Sequence, residues 1–204
     1  MLAAYKRLFD IAFSAFALLS FAPFLLIVAL VIFIVNPGPV FFVHERVGRN
    51  GKPFGCIKFR TMRVNAQEAL DELLATDADA RQSWETFRKL PNDPRVIPVL
   101  GNVMRRTSID ELPQFLNVLL GQMSVVGPRP ITREELERYG PAREAYLSCR
   151  PGITGLWQSS GRSKLSFEER IRYDVEYSET ASPLMDIRII FVTALQVLFC
   201  RSSS

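Results

Sequence analysis

A long apolar segment dominates the start of the chain. Residues 11–35, IAFSAFALLSFAPFLLIVALVIFIV, contain 25 residues without a charged side chain. A helix of about 20 apolar residues can cross the hydrocarbon core of a bilayer, whereas the apolar region of a secretory signal ends within about 15 residues. The segment is therefore predicted to be a membrane helix and not a cleaved signal peptide.

Two features of this segment argue against a simple crossing. Pro23 lies near its middle, where it removes a helical hydrogen bond and bends the helix. Basic residues, which usually mark only the cytoplasmic side, lie on both sides of the segment: Lys6 and Arg7 before it, and Arg46, Arg49, Lys52, Lys58, Arg60 and Arg63 after it. Both features fit a re-entrant helix that enters and leaves by the same face. A kinked helix that spans the bilayer fits the length equally well, and these residues alone leave both interpretations open.

The pattern after the apolar segment predicts a mixed domain with many helices. Alternating apolar runs separated by an Asn-Gly turn predict a hairpin, and apolar residues at helical spacing predict helices. The predicted elements are strands at 40–43 and 54–59 and helices at 65–90, 110–120, 132–147 and 166–178.

A second apolar element lies at 184–200. Asp186 and Arg188 interrupt its start, so only the twelve residues 189–200 are free of charge. That run is too short to span a bilayer. The segment is predicted to be either an interfacial helix or a core helix.

Charge and composition narrow the chemistry of the polar part. The 204-residue chain has a formal net charge of +4, and the apolar segments carry almost none of it, so the polar part is basic. A basic domain suits anionic partners: phosphates, nucleic acid or a lipid surface. His44 is the single histidine, so we expect neither a histidine-based triad nor a multi-histidine metal site. Cys56, Cys149 and Cys200 are far apart and predict reduced thiols rather than a disulfide framework or a zinc site.

The stretch RRTSIDELPQFLNV puts two carboxylates, Asp110 and Glu111, a few residues after a pair of arginines. A structural role is one interpretation: Ser108 and Glu111 fit a capping box, and Asp110 itself fits an N-cap with Pro113 in the first helical turn. A functional site is the other. Adjacent carboxylates can hold Mg²⁺, and a helix start beside arginines is a natural phosphate-binding position.

Further arginines lie in loops rich in Gly and Pro. Arg129 stands between Pro128 and Pro130 in VGPRPIT, Arg150 opens RPGITGLWQ, and Arg162 lies in SSGRS. A guanidinium held by a rigid backbone suits a bidentate contact with phosphate or with a base. Their concentration near an acidic pair, on a membrane-anchored chain, favours a diphosphate substrate.

These motifs together resemble the bacterial sugar transferases, which are monotopic polyprenyl-phosphate phosphoglycosyl transferases. The resemblance covers nearly the whole chain through KRLFDI, IKFRTM, SIDELPQFLNVLLGQMSVVGPRP, RPGITGLWQ and DIRIIFVTALQVL. It implies transfer of a sugar 1-phosphate from a nucleotide diphosphate sugar to polyprenyl (undecaprenyl) phosphate, with release of UMP. This would be the first membrane step of exopolysaccharide, capsule or O-antigen synthesis. The catalytic portion is similar to the larger hexose-1-phosphate transferases, so a hexose from UDP-galactose or UDP-glucose is expected.

The resemblance also implies residue roles. Asp110 is the expected catalytic nucleophile, Glu111 is its neighbour in the acidic dyad, and Mg²⁺ is expected at Asp110. The substrate-binding residues that it implies are Lys58, Arg105, Pro128, Arg129, Pro130, Arg150 and Arg162.

The resulting prediction is an α/β, mainly helical, monotopic membrane protein with a re-entrant N-terminal helix and an interfacial C-terminal helix. We expect a membrane helix-break-helix at 1–38, a cytoplasmic catalytic domain at 39–182, and an interface or core helix with a tail at 183–204. The expected location is the cytoplasmic face of the bacterial inner membrane, and the expected partners are UDP-sugar, polyprenyl phosphate and membrane lipids; a homo-oligomer stays open. Small family members often have Ser-Pro where this chain has Ala22-Pro23, so the break would be held differently here.

Three alternatives to this prediction remain. In the first alternative, the polyprenyl phosphate attacks the UDP-sugar directly in one step, and the dyad only binds metal. The chain would instead be a membrane-anchored nucleotide-sugar-binding or scaffold protein without catalysis, against which the intact Asp110, Glu111, Lys58 and Arg129 argue. A nucleic-acid-binding protein is the third alternative, and no platform of basic and aromatic residues supports it.

Overall fold

The computed structural model describes residues 2–87, 90, 93–160 and 165–198. The described chain is mainly helical with small sheets, as the pattern predicted. The helices are α1 Leu2–Val35, α2 Ala66–Thr76, α3 Ala78–Phe87, α4 Leu100–Thr107, α5 Gln114–Leu119, α6 Arg133–Glu137, α7 Arg143–Ser148, α8 Leu156–Ser160, α9 Phe167–Thr180 and α10 Pro183–Leu198. The strands are β1 Phe41–Val47, β2 Pro53–Phe59, β3 Ser124–Val126 and β4 Gly152–Thr154.

The apolar segment forms one helix, α1, that continues through Pro23. The predicted division into two helices is therefore not present as two separate elements, because a proline inside a helix removes one hydrogen bond and bends the helix without having to end it. Within the described residues, α1 is the helix that is long and apolar enough to cross a membrane, judged by length and composition. Many of its apolar side chains, such as Phe16 and Leu19, are exposed.

The first turns of α1 are bonded to the folded domain. Arg7 donates from Nη1 to the carbonyl of Val118 at 2.6 Å and from Nη2 to that of Leu119 at 2.9 Å. The buried carboxylate of Asp10 accepts a hydrogen bond of 3.0 Å from the backbone N–H of Val125 in β3. Arg7 thus satisfies carbonyls at the C-terminus of α5, where a cation is favourable.

The far end of α1 contacts the same domain. Ile32 is fully buried in a cluster with Phe59 of β2 and Met104 of α4. Just beyond the helix, the carbonyl of Asn36 accepts a hydrogen bond from the buried guanidinium of Arg60. The domain therefore holds the helix near both of its ends.

The predicted hairpin is confirmed. Strands β1 and β2 pair antiparallel, with Phe41 opposite Phe59. The turn between them has Asn50 at φ +57° and Gly51 at φ +74°. Both residues need a positive φ in the tight turns that suit the twist of a hairpin, and Asn-Gly meets that need. The hairpin carries Lys58 near the end of β2.

Two further predicted helices are each divided. The segment 65–90 contains α2 and α3, separated at Asp77, whose backbone is extended. The segment 132–147 contains α6 and most of α7, separated by a turn in which Gly140 has φ +51° and Pro141 follows. A helix ends where glycine takes a left-handed conformation and proline cannot continue the hydrogen-bond ladder.

Helix α10 combines the two interpretations offered for the C-terminal segment. Ile189 and Asp186 are buried, and Asp186 accepts a hydrogen bond of 2.7 Å from Lys6 Nζ in α1. Its other face exposes apolar side chains, including Leu184 and Phe191. One face of α10 is therefore part of the core, and the other exposes an apolar surface. The tail at 199–204 lies outside the described residues.

Candidate active site

The acidic pair lies in a short 3₁₀ turn, Ile109–Glu111, between α4 and α5. The chain reverses at Ser108, which has φ +57°, and no side chain caps this turn or α5. The predicted capping box is wrong, and the helix predicted at 110–120 is present but starts later than Asp110. Helix α5 begins only at Gln114, after Pro113, a residue that fits a helix start because the missing N–H needs no partner there. The two carboxylates are thus free for other contacts.

Glu111 is held by two cations. Its Oε1 lies 2.6 Å from Lys58 Nζ and 3.5 Å from Arg129 Nη2. Burial alone would raise the pKa of Glu111, but the charges of Arg129 and Lys58 outweigh it and keep the pKa below its ordinary value. Glu111 is therefore an ionised carboxylate that brings two cations to one point.

Asp110 has different surroundings. Within the described residues its carboxylate has no hydrogen bond and no ion pair. Burial and, next, the negative charge of Glu111 raise the pKa of Asp110 to about 6, against the opposing effect of Lys58, Arg105 and Arg129. At neutral pH the group is still mainly ionised, but it is a stronger base than an ordinary aspartate. An ionised, half-buried carboxylate without a protein partner is suited to react or to bind a cation.

Arg129 is positioned by contacts on the C-terminal side of β3. The backbone N–H of Val47 donates to the carbonyl of Ile131 at 2.9 Å. The buried hydroxyl of Tyr146 donates to the Val47 carbonyl at 2.7 Å and accepts from the Ile131 N–H at 3.3 Å. These bonds fix the backbone just after Arg129, whose side chain is 43% exposed and so remains accessible to a ligand.

The prolines beside Arg129 lie where the VGPRP and RPGITG motifs meet. Pro128 is buried, Pro130 is half-buried, and the Pro128 carbonyl accepts a hydrogen bond of 2.7 Å from Gly152 N–H. Strands β3 and β4 pair in parallel at this point. A Cβ on Gly152 would lie 2.1 Å from the nitrogen of Gly127, so only glycine permits this approach. The two motifs therefore form one structural unit.

Arg105 joins the site from the last turn of α4. Its Nε donates to Thr61 Oγ1 at 2.9 Å, and its charge is among those that lower the pKa of Asp110. Thr61 is buried and was missed in the sequence, where it stands within IKFRTM. Lys58 and Arg129 thus bond to Glu111, and Arg105 lies close enough to lower the pKa of Asp110.

Arg150, which was also predicted to bind substrate, is not part of this group. Arg150 Nε donates to the carbonyl of Gly121 at 3.0 Å, and the charges that act on it are those of Arg49, Arg7 and Asp10. The structure therefore puts Arg150 at the C-terminal end of α5, whereas the dyad precedes its N-terminal end. Arg162 lies outside the described residues.

Asn117 is a second polar residue that the sequence analysis missed. It is fully buried on α5 and bonded to the backbone of β2. The available signal was a carboxamide within the apolar run FLNVLL. A buried carboxamide needs hydrogen-bond partners, and so it marks a tertiary contact.

The oxygens of Asp110 fit Mg²⁺ when a substrate supplies other ligands. Among the described residues there is no cluster of three or more His, Cys, Asp or Glu side chains that would hold a metal alone. Mg²⁺ commonly binds through one or two carboxylates, waters and substrate phosphates. The partner-free carboxylate of Asp110 beside the cations that surround the pair suits that arrangement.

Comparison with known proteins agrees with this architecture. The family model for bacterial sugar transferases matches residues 1–200. The exopolysaccharide production protein ExoY of Rhizobium meliloti is 49% identical over 199 residues, which are 97% of this chain and 87% of that protein. The undecaprenyl-phosphate galactose phosphotransferase of Salmonella typhimurium is 48% identical over 193 residues, which are 95% of this chain and 40% of that protein. The UDP-glucose:undecaprenyl-phosphate glucose-1-phosphate transferase of Escherichia coli is 39% identical over 199 residues, 94% of this chain and 39% of that protein. The chain belongs to the bacterial sugar transferase family and is an enzyme of the phosphoglycosyl transferase class.

Proposed function

We propose that this enzyme transfers a hexose 1-phosphate from a UDP-sugar to polyprenyl phosphate through a covalent intermediate on Asp110, with release of UMP. The observation that carries the proposal is the contrast within the dyad. Asp110 is ionised at neutral pH and has no protein partner within the described residues, while Glu111 is engaged by Lys58 and Arg129. A free carboxylate surrounded by cations suits attack on a diphosphate.

The first step is attack by a carboxylate oxygen of Asp110 on the sugar-bearing phosphorus. The new bond joins that oxygen to phosphorus, and the bond from the same phosphorus to the bridging oxygen breaks, so UMP leaves with the electron pair. No general base is needed, because the nucleophile is already ionised. Lys58, Arg105 and Arg129 stabilise the charge that develops on the diphosphate oxygens.

The second step returns Asp110 to its starting state. A phosphate oxygen of polyprenyl phosphate attacks the same phosphorus, and the acyl phosphate bond to Asp110 breaks. The products are polyprenyl diphosphate sugar and the free carboxylate, so charges and atoms balance without an added proton. Glu111 keeps Lys58 and Arg129 in position through both steps.

Mg²⁺ is the proposed cofactor, and Asp110 is the residue that would hold it when substrate is bound. When bound it neutralises negative charge on the diphosphate and so assists departure of UMP. Among the described residues no side chain or backbone group bonds to the oxygens of Asp110, which supports this assignment. Removal of Mg²⁺ with EDTA is expected to abolish UMP release, and restoring Mg²⁺ is expected to recover it.

The names of the relatives support the substrate class. The name of the Salmonella relative mentions undecaprenyl phosphate and galactose, and that of the Escherichia coli relative mentions undecaprenyl phosphate and glucose 1-phosphate. The name of the Rhizobium relative mentions exopolysaccharide production. We therefore propose UDP-galactose or UDP-glucose as donor and undecaprenyl phosphate as acceptor, in the first membrane step of exopolysaccharide, capsule or O-antigen assembly.

A re-entrant α1 and a catalytic domain on the cytoplasmic face belong to the same proposal. The 34 residues of α1 are about 51 Å long, whereas the hydrocarbon core of a bilayer is about 30 Å thick. The domain contacts α1 at Arg7 and Asp10 near one end and at Ile32 near the other. Contacts at both ends with one folded domain support a helix whose two ends lie on the same side of the membrane.

Release of UMP by purified protein tests this function. We expect UMP when polyprenyl phosphate, Mg²⁺ and UDP-galactose or UDP-glucose are all present. The same assay with UDP-N-acetylhexosamines separates hexose from N-acetylhexosamine specificity. Absence of UMP with every UDP-sugar, from protein that is folded, would contradict the proposal.

A further inference from the structure

A fully buried carboxamide connects the two chain segments that supply the Lys58–Glu111 ion pair. Asn117 lies on α5, six residues after Glu111, and its side chain is inaccessible to solvent. Strand β2 carries Lys58 and packs against α5. Asn117 is the α5 side chain that bonds to β2 within the described residues.

The carboxamide forms a two-point contact with the backbone of β2. Asn117 Oδ1 accepts from Ile57 N–H at 3.0 Å, and Nδ2 donates to the Gly55 carbonyl at 2.7 Å. These groups lie two residues apart on the edge of β2 that faces away from β1, which pairs with the other edge. A neighbouring strand would bond to the same N–H and C=O groups. The Asn117 amide therefore takes the place of a peptide unit on the free edge of β2.

A third bond fixes the direction of the amide. Asn117 Nδ2 also donates to Gln122 Oε1 at 2.6 Å. If the amide were flipped, two carbonyl-type oxygens would face one another at this contact and another two at Gly55, while the amide NH₂ would face Ile57 N–H. The flipped orientation is unfavourable at all three contacts.

We propose that Asn117 is a positioning residue that holds Lys58 against Glu111. Ile57, whose N–H the carboxamide binds, immediately precedes Lys58, and Lys58 Nζ lies 2.6 Å from Glu111 Oε1. A shift of β2 along or away from α5 would separate the ammonium from the carboxylate. The Asn117 carboxamide opposes both movements, because it bonds to one donor and one acceptor at different positions along the strand. The importance of this position for turnover rests on the function proposed above.

The variant Asn117→Ala removes both backbone contacts, and Val118→Ala is the matched control. Val118 is the next residue of the same helix, fully buried in the core, and its side chain lacks polar atoms. At a temperature where both variants are fully folded, we expect Asn117→Ala to lose about 10- to 100-fold in kcat/KM, and Val118→Ala to remain within about threefold of wild type. Equal losses in the two variants would mean that activity follows core stability alone.

A double-mutant cycle with Lys58→Met separates positioning from general destabilisation. If Asn117 acts through Lys58, Asn117→Ala should lower the residual activity of the Lys58→Met enzyme by less than about twofold. A further loss as large as that in the wild-type background would overturn the proposal. Gln122→Leu provides a milder second variant, since Gln122 is only half-buried and its substitution frees the amide without removing it. It should lose a few-fold in kcat/KM, and again only while Lys58 is present.

Chemical modification of Lys58 tests the inference without turnover. Lys58, whose Nζ lies 2.6 Å from Glu111 Oε1 and whose side chain is 22% exposed, should react slowly with acylating reagents, because the nitrogen is shielded from the reagent. Peptide mass spectrometry should therefore show faster acylation of Lys58 in Asn117→Ala than in wild type or Val118→Ala. If the proteins fail to release UMP but Lys58 shows this difference, the function is wrong and the positioning is right. Unchanged reactivity of Lys58 in an active enzyme would contradict the positioning.

Discussion

Asp110 and Glu111 are adjacent in the chain, yet their environments differ. The cations that hold Glu111 keep its pKa low, whereas burial and the neighbouring charge raise that of Asp110 to about 6. Two carboxyl groups whose pKa values are pushed apart usually have different roles. Glu111 bonds to Lys58 and Arg129, whereas the Asp110 carboxylate has no hydrogen bond or ion pair within the described residues. The difference arises from side chains that are distant in sequence.

Substitution of Arg129 tests whether the paired N–H donors of its guanidinium contribute to catalysis. Arg129→Lys retains the charge but not the paired N–H donors, so we expect a loss of about 1.5–3 kcal/mol in transition-state stabilisation. The measurement is kcat/KM for UMP release, with Arg133→Lys on the exposed start of α6 as the control. An unchanged kcat/KM in Arg129→Lys would remove this guanidinium from the substrate site.

Asp174 predicts a pH dependence of stability outside the active site. It is buried, its Oδ2 accepts a hydrogen bond of 2.7 Å from Tyr139, and burial raises its pKa to about 7 although that bond opposes the rise. The ordinary pKa of an unfolded aspartate is about 3.9, so folding favours the protonated form. The stability from this group is fully present below about pH 4 and is lost as the pH rises through about 7.

The variant Asp174→Asn should remove this pH dependence. The amide oxygen still accepts a hydrogen bond from Tyr139, but the group does not ionise. We expect the Tm of wild type to fall between about pH 5 and pH 8 relative to that of Asp174→Asn, measured in the same detergent. Parallel Tm profiles for the two proteins would show that folding does not raise the pKa of Asp174.

Part of the site was predictable from residue type and motif. The motifs and the resemblance singled out five residues that lie close together in the structure, Asp110, Glu111, Lys58, Arg105 and Arg129, and their roles stay predictions. The supporting contacts were not predictable, because residues such as Thr61 and Asn117 acquire their meaning from partners 44 to 62 positions away in the chain. Arg150 shows the converse: an arginine in a family motif bonds to a helix end away from the pair.

Among the secondary-structure elements, those with strong local signals were predicted best. The hairpin has an Asn-Gly turn that requires little beyond its own residues. The turn around the dyad lacks such a local signal, because Ser108 adopts a left-handed conformation that its sequence neighbourhood did not indicate. The capping-box pattern at Ser108 and Glu111 was therefore misleading, since Glu111 forms stronger contacts with distant cations.

The close parallel pairing of β3 and β4 predicts a position-specific glycine effect. Gly152→Ala would place a methyl group 2.1 Å from the nitrogen of Gly127, so the loops that carry Arg129 must separate. Gly140→Ala is the control: it has open space around it, and its strain comes from its φ of +51° alone. We expect a loss of about 1 kcal/mol in Gly140→Ala, and a larger loss of both stability and kcat/KM in Gly152→Ala. Equal effects would mean that the close approach relaxes easily.

For the molecule as a whole, the decisive feature is the attachment of α1 at both ends. Its length and composition were evident from the sequence, but the partners of Arg7, Asp10 and Ile32 were not. Those contacts depend on how the domain folds against the helix. They support the proposal that both ends of α1 lie on one side of the membrane, a question that the apolar pattern alone left open.

A labelling experiment tests this topology. In spheroplasts, Ala3→Cys and Asn50→Cys should both resist a membrane-impermeant thiol reagent and become reactive after permeabilisation, with the wild-type chain as background for its native cysteines. Pro23→Leu should restore a helical hydrogen bond within lipid, shift α1 towards spanning and lower activity. Labelling at residue 3 without labelling at residue 50 in the intact membrane would show a true span.

Detection of a phosphosugar on Asp110 tests the central claim most directly. Purified protein is incubated with UDP-sugar and Mg²⁺ but without polyprenyl phosphate, and then analysed by intact mass and peptide mapping. The wild type should release UMP and gain one phosphosugar at Asp110. Asp110→Asn should gain nothing while remaining folded, because a neutral amide cannot form the acyl phosphate. A wild-type enzyme that turns over with acceptor yet never carries the adduct, or an active Asp110→Asn variant, would contradict the two-step mechanism.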